Sequence, residues 1–285
     1  MVRDLTPVIV GVGQFTERLN DADYKGLSPS DIAAKASLAA VEDAGSSNDV
    51  LSRIDTVGGI RTFEDSSPRM KSPFGKADKY PRAVCKRLGI NPDTALFEKA
   101  GGQSPLVLIS KLGDRVAAGE AEIALAFGSE AISTVRHLLG IGEKRDWHEE
   151  LEGDVEDEGP GIEDMMNPQH FLHGLRSAPA SYALLENARR ARLGLSREEY
   201  AQKMGQLFEP FSKIAAENPF ASSDVRASSA EQLISVDEKN RMIADPYMRR
   251  VVSRDQVNQG AAVLIMSVSV ARDLGIPESK WIYMH

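Results

Sequence analysis

The sequence has very little cysteine: Cys85 is the only one in 285 residues. A single cysteine excludes an intrachain disulfide and any metal site built from several thiolates. Cys85 lies in the stretch 82–87 (Arg-Ala-Val-Cys-Lys-Arg), whose cations could lower the pKa of its thiol. A lone cysteine in a helical pattern is more typical of a small buried hydrophobe, so we expect Cys85 to pack inward.

Positive charge and long apolar runs are also scarce. The chain has 34 Lys and Arg against 42 Asp and Glu, a formal net charge of −8. This balance argues against a nucleic-acid-binding surface and gives no general attraction to polyanionic ligands, although it leaves room for a local basic pocket. No apolar run approaches the roughly 18 residues of a membrane span, and the N-terminus lacks the pattern of a signal peptide. We therefore expect a cytoplasmic protein with no nucleic-acid partner.

What the sequence does contain is an alternation of short strands and helices. Runs of β-branched and apolar residues predict strands, and helical patterns bounded by Gly and Pro lie between them. This alternation is typical of an α/β fold with a mixed sheet and helices on both faces. The predicted five-stranded sheet has strands at residues 8–12, 56–60, 94–99, 122–128 and 262–267.

The middle of the chain has a different composition. Residues 143–164 are rich in Asp and Glu and nearly free of apolar residues, which is typical of a solvated loop. Helical patterns follow, and one of them begins with a capping box formed by Ser196 and Glu199. We therefore predict a mainly helical inserted domain at 136–249 within an α/β domain formed by 1–135 and 250–285.

The turn at residues 100–105 (Ala-Gly-Gly-Gln-Ser-Pro) joins the third strand to an apolar helix. A thiol on such a turn would lie near a helix N-terminus, where backbone N–H groups favour the thiolate. This turn has Gly102 and no cysteine. Ser104 is a weak candidate nucleophile, and its alternative role is to cap the helix. Gly101 and Gly102 could form an anion-binding nest, or only a turn that needs positive φ.

The helix after this turn is apolar on nearly every side at residues 105–112 (Pro-Leu-Val-Leu-Ile-Ser-Lys-Leu). A helix that is apolar all round is buried all round. We therefore expect Leu106, Leu108 and Ile109 to be buried. One sheet with one helix layer would leave the outer side of this helix in water, so the sequence predicts a further covering layer, supplied by a homodimer or by a second chain.

Segments spread along the chain resemble the thiolase superfamily: residues 6–14 resemble its first strand and turn, 30–45 its first helix and 54–57 its second strand. Two further segments carry the most detail. Residues 119–131 are similar to the family's Gly, acidic residue and strand ending in Gly-x-Glu, and residues 257–267 resemble its Asn-Asp-Gly-Ala-Ala turn and fifth strand. The resemblance covers nearly the whole chain and implies a thiolase-like N-terminal half with its loop domain. Counting back from Glu130 places the family's nucleophile position on Gly102, as in acetyl-CoA acetyltransferase-like proteins that lack the nucleophilic cysteine.

The resemblance implies acyl transfer between coenzyme A thioesters, an activity of lipid metabolism that requires no resident cofactor. Thiolases use a nucleophilic cysteine and, in a second half, a histidine and another cysteine. The chain stops at His285 before such a half, so we expect an acetyltransferase-like protein that is inactive or incomplete, with acyl-CoA as ligand. One alternative is a non-catalytic acyl-CoA-binding or interaction subunit that pairs with a C-terminal thiolase-like half. Another is a fragment of a longer protein.

The resemblance also implies which residues face the pantetheine arm of coenzyme A. A loop with Met and His covers that arm in thiolases, although an apolar anchor of the insert is the more ordinary role for Met and Phe. His170 and His173 have a spacing that could hold a metal, but no third ligand is visible, so we predict no metal site. The predicted coenzyme A-binding residues are Met166, His170, Phe171, Asn258 and Gly260.

Overall fold

The apolar runs predicted as strands form one mixed sheet in the computed structural model. The strands of this sheet are β1 (Pro7–Thr16), β2 (Ile54–Ile60), β3 (Thr94–Glu98), β4 (Ile123–Ala131), β5 (Glu156–Asp157), β8 (Asn258–Ser267) and β9 (Ile282–Tyr283). Their order is β5-β3-β2-β4-β8-β1-β9. Strand β2 runs parallel to β3 and β4, whereas β8 is antiparallel to β4 and β1. The mixed α/β class and the five predicted strands are confirmed; β5 and β9 were missed because two-residue strands carry no periodic signal.

The structure describes residues 3–45, 47–67, 71–161, 167–222 and 226–284. The chain divides into two units, the first formed by 1–163 with 256–285 and the second by 164–255. Residues 136–161 therefore group with the first unit, whereas the sequence prediction assigned them to the insert. None of the described helices is long and apolar enough to cross a membrane.

Helices cover both faces of the sheet. In the first unit they are α1 (Pro29–Ala44), α2 (Ser47–Ser52), α3 (Tyr80–Leu88), α4 (Ser104–Ala118), α5 (Ile132–Ile141) and α10 (Val268–Asp273). Successive residues of β4 point to opposite faces. Leu125 and Phe127 join the core that α1 and α3 cover, whereas Ala124 and Ala126 join the core that α4 covers. The sheet is thus the middle layer of three.

Helix α1 lies very close to the sheet, and two glycines permit this approach. A Cβ added to Gly13 would lie 2.0 Å from the carbonyl oxygen of Ala36. A Cβ added to Gly260 would lie 2.9 Å from Cγ2 and 3.0 Å from the carbonyl oxygen of Ile32. Both positions therefore need glycine for packing, which accounts for Gly260 without any ligand.

Helix α4 is buried on one side only. Leu108, Leu112 and Val116 are fully buried against the sheet, whereas Leu106 is 71% exposed. The prediction of burial all round is therefore wrong for the outer side, because the described residues supply one helix layer on this face of the sheet. The capping prediction is also wrong: the N-cap is Gln103, and Ser104 is the buried first residue of the helix.

The acidic segment is solvent-exposed in its described part, as predicted, but it is not only a loop. Its strand β5 pairs with the outer edge of β3. Basic side chains of the same unit pair with its carboxylates and hold the segment against the fold. Composition alone could not show this, because the cations lie at distant positions in the sequence.

The second unit is mainly helical, as predicted. Its elements are α6 (Pro168–Leu172), α7 (Ala178–Arg192), α8 (Arg197–Glu217), α9 (Ala230–Ile234) and the antiparallel pair β6 (Met242–Ala244) and β7 (Tyr247–Met248). Ser196 and Glu199 form the predicted capping box at the start of α8. The hydroxyl of Tyr200 donates to Glu186 at 2.8 Å and so joins α8 to α7.

Candidate functional site

The candidate site lies at one end of the sheet. The parallel strands β2, β3 and β4 end there, and the antiparallel β8 begins there, with Asn258 paired to Ala131. The turn between β3 and α4, which contains Gly102, lies at this same end because it follows the last residue of β3. In open α/β sheets, ligands bind in the crevice outside the carboxyl ends of the parallel strands.

Gly102 is exposed, and its backbone does not require glycine. A Cβ added there would have no heavy atom within 4 Å, and the residue is not among the glycines with positive φ. The hypothesis that a positive φ explains Gly102 is therefore wrong. The turn has the space and the conformation for a cysteine side chain, and the residue that occupies the position is chemically inert.

The two other candidate nucleophiles are buried. Cys85 lies on α3 and its side chain packs inward, as predicted. Burial raises the pKa of its thiol to about 12, although the nearby Arg82 favours the thiolate. The guanidinium of Arg82 donates to the carbonyl oxygens of Pro92 and Asp154. Ser104 is 2% exposed at the start of α4. Neither side chain is accessible to a thioester carbonyl in this structure.

An ion pair between a buried glutamate and a partly exposed lysine joins β3 to α4 beside this turn. Glu98, the last residue of β3, accepts a hydrogen bond from Nζ of Lys111 at 2.7 Å and another from the backbone N–H of Lys99 at 3.0 Å. Desolvation would lower the pKa of Lys111, but its hydrogen bonds to Glu98 and Glu158 outweigh that effect and raise it. The hydrogen bonds of the Glu98 carboxylate thus connect the end of β3 to α4 on either side of the turn.

Glu130 is a chemically active group that sequence reasoning did not single out as a site residue. It lies near the end of β4, where its Oε1 accepts a hydrogen bond from the backbone N–H of Phe63 at 2.6 Å. Burial raises the pKa of its carboxyl to about 7, the Phe63 bond lowers it, and Glu64 raises it further. A carboxyl with this pKa can give or take a proton near neutral pH. The sequence signal was an acidic residue at the end of a buried strand.

A second hydrogen-bonded group lies near Glu130. The hydroxyl of Tyr80 is 2.7 Å from Oγ of Ser129, which donates to the carbonyl oxygen of Pro29 at 2.7 Å. Burial raises the pKa of Tyr80, so its phenol stays neutral. Tyr80, Glu64 and Trp147 line a small cleft that can hold water.

We predict that Glu130 makes the fold less stable as the pH rises towards 8. Its folded pKa of about 7 lies above the unfolded value of about 4.3. The folded protein therefore retains a proton that the unfolded chain has lost, and this stabilisation, complete below about pH 4, disappears as the pH passes 7. Urea denaturation should show Glu130→Gln gaining stability relative to wild type between pH 5 and pH 8. The amide oxygen of the variant can still accept from Phe63.

The matched control is Glu152→Gln, which changes an exposed glutamate of the same unit. Its stability difference from wild type should be constant across the same pH range. Parallel pH profiles for Glu130→Gln and wild type would mean that the Glu130 carboxyl titrates normally.

Asn258 has a structural role in this unit. Its Nδ2 donates to the carbonyl oxygen of Glu17 at 3.1 Å, and its Oδ1 accepts from the backbone N–H of Thr134 at 2.8 Å. The buried amide thus connects the start of β8 to the segment after β1 and to α5. Its predicted contact with coenzyme A stays a prediction, as does that of Gly260.

The other predicted coenzyme A-binding residues belong to the second unit. His170 and Phe171 are exposed on α6, and the guanidinium of Arg176 lies 4.9 Å from the centre of the Phe171 ring. Met166 lies outside the described residues. Within the described ranges, no three His, Cys, Asp or Glu side chains are grouped as a metal site.

No family model matches the chain, and no curated protein matches it. Among solved structures, a monomeric SCP2-thiolase-like protein type 1 from Mycobacterium smegmatis matches all of this chain, with 43% sequence identity and a TM-score of 0.76. The chain has a thiolase-superfamily fold. It spans 51% of the length of the M. smegmatis protein. The resemblance inferred from the sequence segments is thus confirmed at the level of the fold.

Two more distant structures show the same fold. The Ltp2-ChsH2(DUF35) aldolase matches 95% of this chain at 20% identity, with a TM-score of 0.62, and the chain spans 58% of its length. Human mitochondrial 3-ketoacyl-CoA thiolase in complex with CoA matches 97% of this chain at 18% identity, with a TM-score of 0.51, and the chain spans 68% of its length.

Proposed function

We propose that this thiolase-fold chain binds a coenzyme A thioester without forming an acyl-enzyme intermediate at the turn between β3 and α4. The observation that carries the proposal is Gly102, because the turn is open to a side chain and contains no nucleophile. Acyl transfer through a covalent intermediate needs an activated thiol or hydroxyl. The burial of Cys85 and Ser104 supports the proposal, since neither can replace the missing thiol.

The ligand class is proposed from the fold and the site. A human thiolase of the same fold was solved in complex with CoA. Glu130 adds a group that can exchange a proton near neutral pH at the end of β4. Such a group suits proton transfer next to a thioester carbonyl, which does not itself require a covalent intermediate.

We expect weak binding of acetyl-CoA and no thiolase turnover. The net charge of −8 opposes a polyanionic ligand at long range, so the dissociation constant should exceed about 1 µM in calorimetry at low salt. Cleavage of acetoacetyl-CoA by free CoA should not exceed that of a mock preparation, because Gly102 offers no thiol.

Two comparisons show which part of the ligand is recognised and whether Ser104 takes part in cleavage. Adenosine 3′,5′-bisphosphate, which lacks the pantetheine arm, should bind more weakly than acetyl-CoA if the arm is recognised. Ser104→Ala should behave like wild type in the cleavage assay. Submicromolar affinity would show that the charge argument is wrong. Absence of binding at millimolar acetyl-CoA would overturn the proposed function, and turnover that Ser104→Ala abolishes would identify the serine as the nucleophile.

The outer side of α4 favours a second candidate function, that of an interaction subunit. Leu106 is 71% exposed and Val107 is 39% exposed there, next to the turn with Gly102. Exposed apolar side chains that lie together commonly mark an interface. We propose that a C-terminal thiolase-like half or a second copy of the chain covers this side. The second copy is the weaker option, because the M. smegmatis protein, at 43% identity, is monomeric.

A further inference from the structure

The segment 149–160, here named the acidic strap, lies along the outer edge of β3. Seven of the ten residues from 149 to 158 are Asp or Glu. Its strand β5 runs parallel to β3, with Leu96 paired to Glu156 and Phe97 to Asp157. The backbone N–H of Glu158 donates to the carbonyl oxygen of Phe97 at 3.1 Å. The acidic strap therefore occupies hydrogen-bonding positions that a neighbouring strand would otherwise use.

Basic side chains from three elements hold the acidic strap in place. Three consecutive carboxylates of the acidic strap form ion pairs with the rest of the fold. Arg115 pairs with Glu156, Arg61 with Asp157 and Lys111 with Glu158. Lys79, which precedes α3, and two arginines of α3 hold the earlier part of the strap. These contacts are Lys79 to the carbonyl oxygen of Leu151, Arg82 to that of Asp154, and Arg87 to the carboxylate of Glu149.

These cations belong to the body of the fold. Arg61 follows β2, stacks 3.8 Å from the centre of the Phe97 ring and pairs with Asp65. Lys111 pairs with the buried Glu98. Contacts outside the acidic strap thus help to position Arg61 and Lys111, and Nε of Arg61 also donates to the carbonyl oxygen of Gly159 within the strap at 2.9 Å. The carboxylates on the strap side are only partly buried, with 42% to 52% of each side chain exposed.

Without β5, β3 would be the edge strand of the sheet. An edge strand has unpaired backbone groups that accept another extended chain, and natural proteins cover or charge such edges. The edge of β3 is bordered by the cations of Arg61, Lys111 and Arg115, which favour an acidic chain over a neutral or basic one. Addition of an extended peptide to such an edge is a common mode of recognition, in which side chains provide the specificity.

We propose that the outer edge of β3, with Arg61, Lys111 and Arg115, is a docking surface for an acidic extended segment of a partner protein, and that the acidic strap closes it. The strap is the chain's own occupant of this surface and shows which chemistry fits it. A partner binds by replacing β5 with its own acidic strand. The strap's carboxylates are half exposed, so their ion pairs are weak and sensitive to salt. A partner must also replace the hydrogen bonds from Arg61 and Arg82 to the carbonyl oxygens of Gly159 and Asp154.

The test releases the acidic strap by mutation and supplies the same segment as a separate peptide. Glu156→Lys with Glu158→Lys places like charges against Arg115 and Lys111 and should release β5 in the full chain. The probe is a fluorescent peptide with the sequence of residues 149–160. We expect fluorescence anisotropy to show at least tenfold tighter peptide binding to this variant than to wild type. Adding Arg115→Glu to the variant should weaken the binding at least tenfold.

The matched control is Glu150→Lys with Glu152→Lys, which makes the same change in charge at two exposed positions of the acidic strap outside β5. It should bind the peptide no better than wild type. Equal binding by control and variant, or equal binding of a peptide with Lys at the positions of 156 and 158, would show general charge attraction and overturn the proposal. So would a variant that dimerises in sedimentation and ignores the peptide, because the surface then pairs with a second copy.

Hydrogen exchange measures directly whether the mutations release the acidic strap from β3. The backbone amides of residues 94–99 and 155–160 should exchange faster in Glu156→Lys with Glu158→Lys than in the control. If the triple variant that adds Asp157→Lys also exchanges at the wild-type rate, the acidic strap is held without its charges, and the proposal fails. Acetyl-CoA binding is expected to be the same in Glu156→Lys with Glu158→Lys as in the control, because both variants have the same net charge, and this comparison separates the proposal from the proposed function.

Discussion

Gly102→Cys is expected to create a thiol that reacts at least about 10³ times faster with a disulfide reagent than the native Cys85. The new side chain meets no heavy atom within 4 Å and lies close to the N-terminus of α4, where the thiolate is favoured. The pKa of about 12 for Cys85 leaves about one thiol in 10⁴ ionised at pH 8, against about a quarter at the ordinary pKa of about 8.5. The rate of thiol release with Ellman's reagent at pH 8 measures this difference.

The decisive variant combines Gly102→Cys with Cys85→Ala, so that a single thiol remains. Gly102→Ser is its control, since it adds a similar side chain without the thiol. A thiol at position 102 that reacts as slowly as Cys85 would mean that the turn is covered in solution. The inference that the turn has room for a reactive side chain at position 102 and lacks only the thiol would then be wrong.

The second large effect concerns α4. We expect Leu108→Ala to lower the free energy of unfolding by about 3 kcal/mol and Leu106→Ala by less than about 0.5 kcal/mol. Leu108 is fully buried, whereas Leu106 is 71% exposed. Leu108 also fits closely over β2, because a Cβ on Gly58 would lie 2.4 Å from its Cδ1. Urea denaturation of the two variants measures the same substitution two positions apart on one helix.

This pair of variants also bears on the interaction candidate. A loss at Leu106 that matches the loss at Leu108 would show that the outer side of α4 is covered in solution. If that loss depended on protein concentration, a second copy would be the cover. A small, concentration-independent loss at Leu106 together with a large loss at Leu108 would agree with the one-sided burial in the structure.

Part of this protein could be predicted from local patterns alone. The five main strands follow from apolar runs, and the start of α8 follows from Ser196 and Glu199, because the residues that determine these features are neighbours in the sequence. The presence of Gly102 in the turn before α4 was visible for the same reason, whereas its assignment as the family's nucleophile position comes from the resemblance and stays a prediction. The inward packing of Cys85 followed from its place in a helical pattern.

Only the tertiary structure decided which of these groups are buried, paired or exposed. The pKa of Glu130 is raised chiefly by burial and is then adjusted by Phe63 and Glu64, which are far away in the sequence. The outer side of α4 is exposed because its burial depends on a covering layer and not on its own composition. The acidic strap has the composition of a solvated loop, yet Arg61 and Arg115 hold it against the edge of β3. Burial and charge pairing join distant residues, and a local pattern contains no information about which distant residues meet.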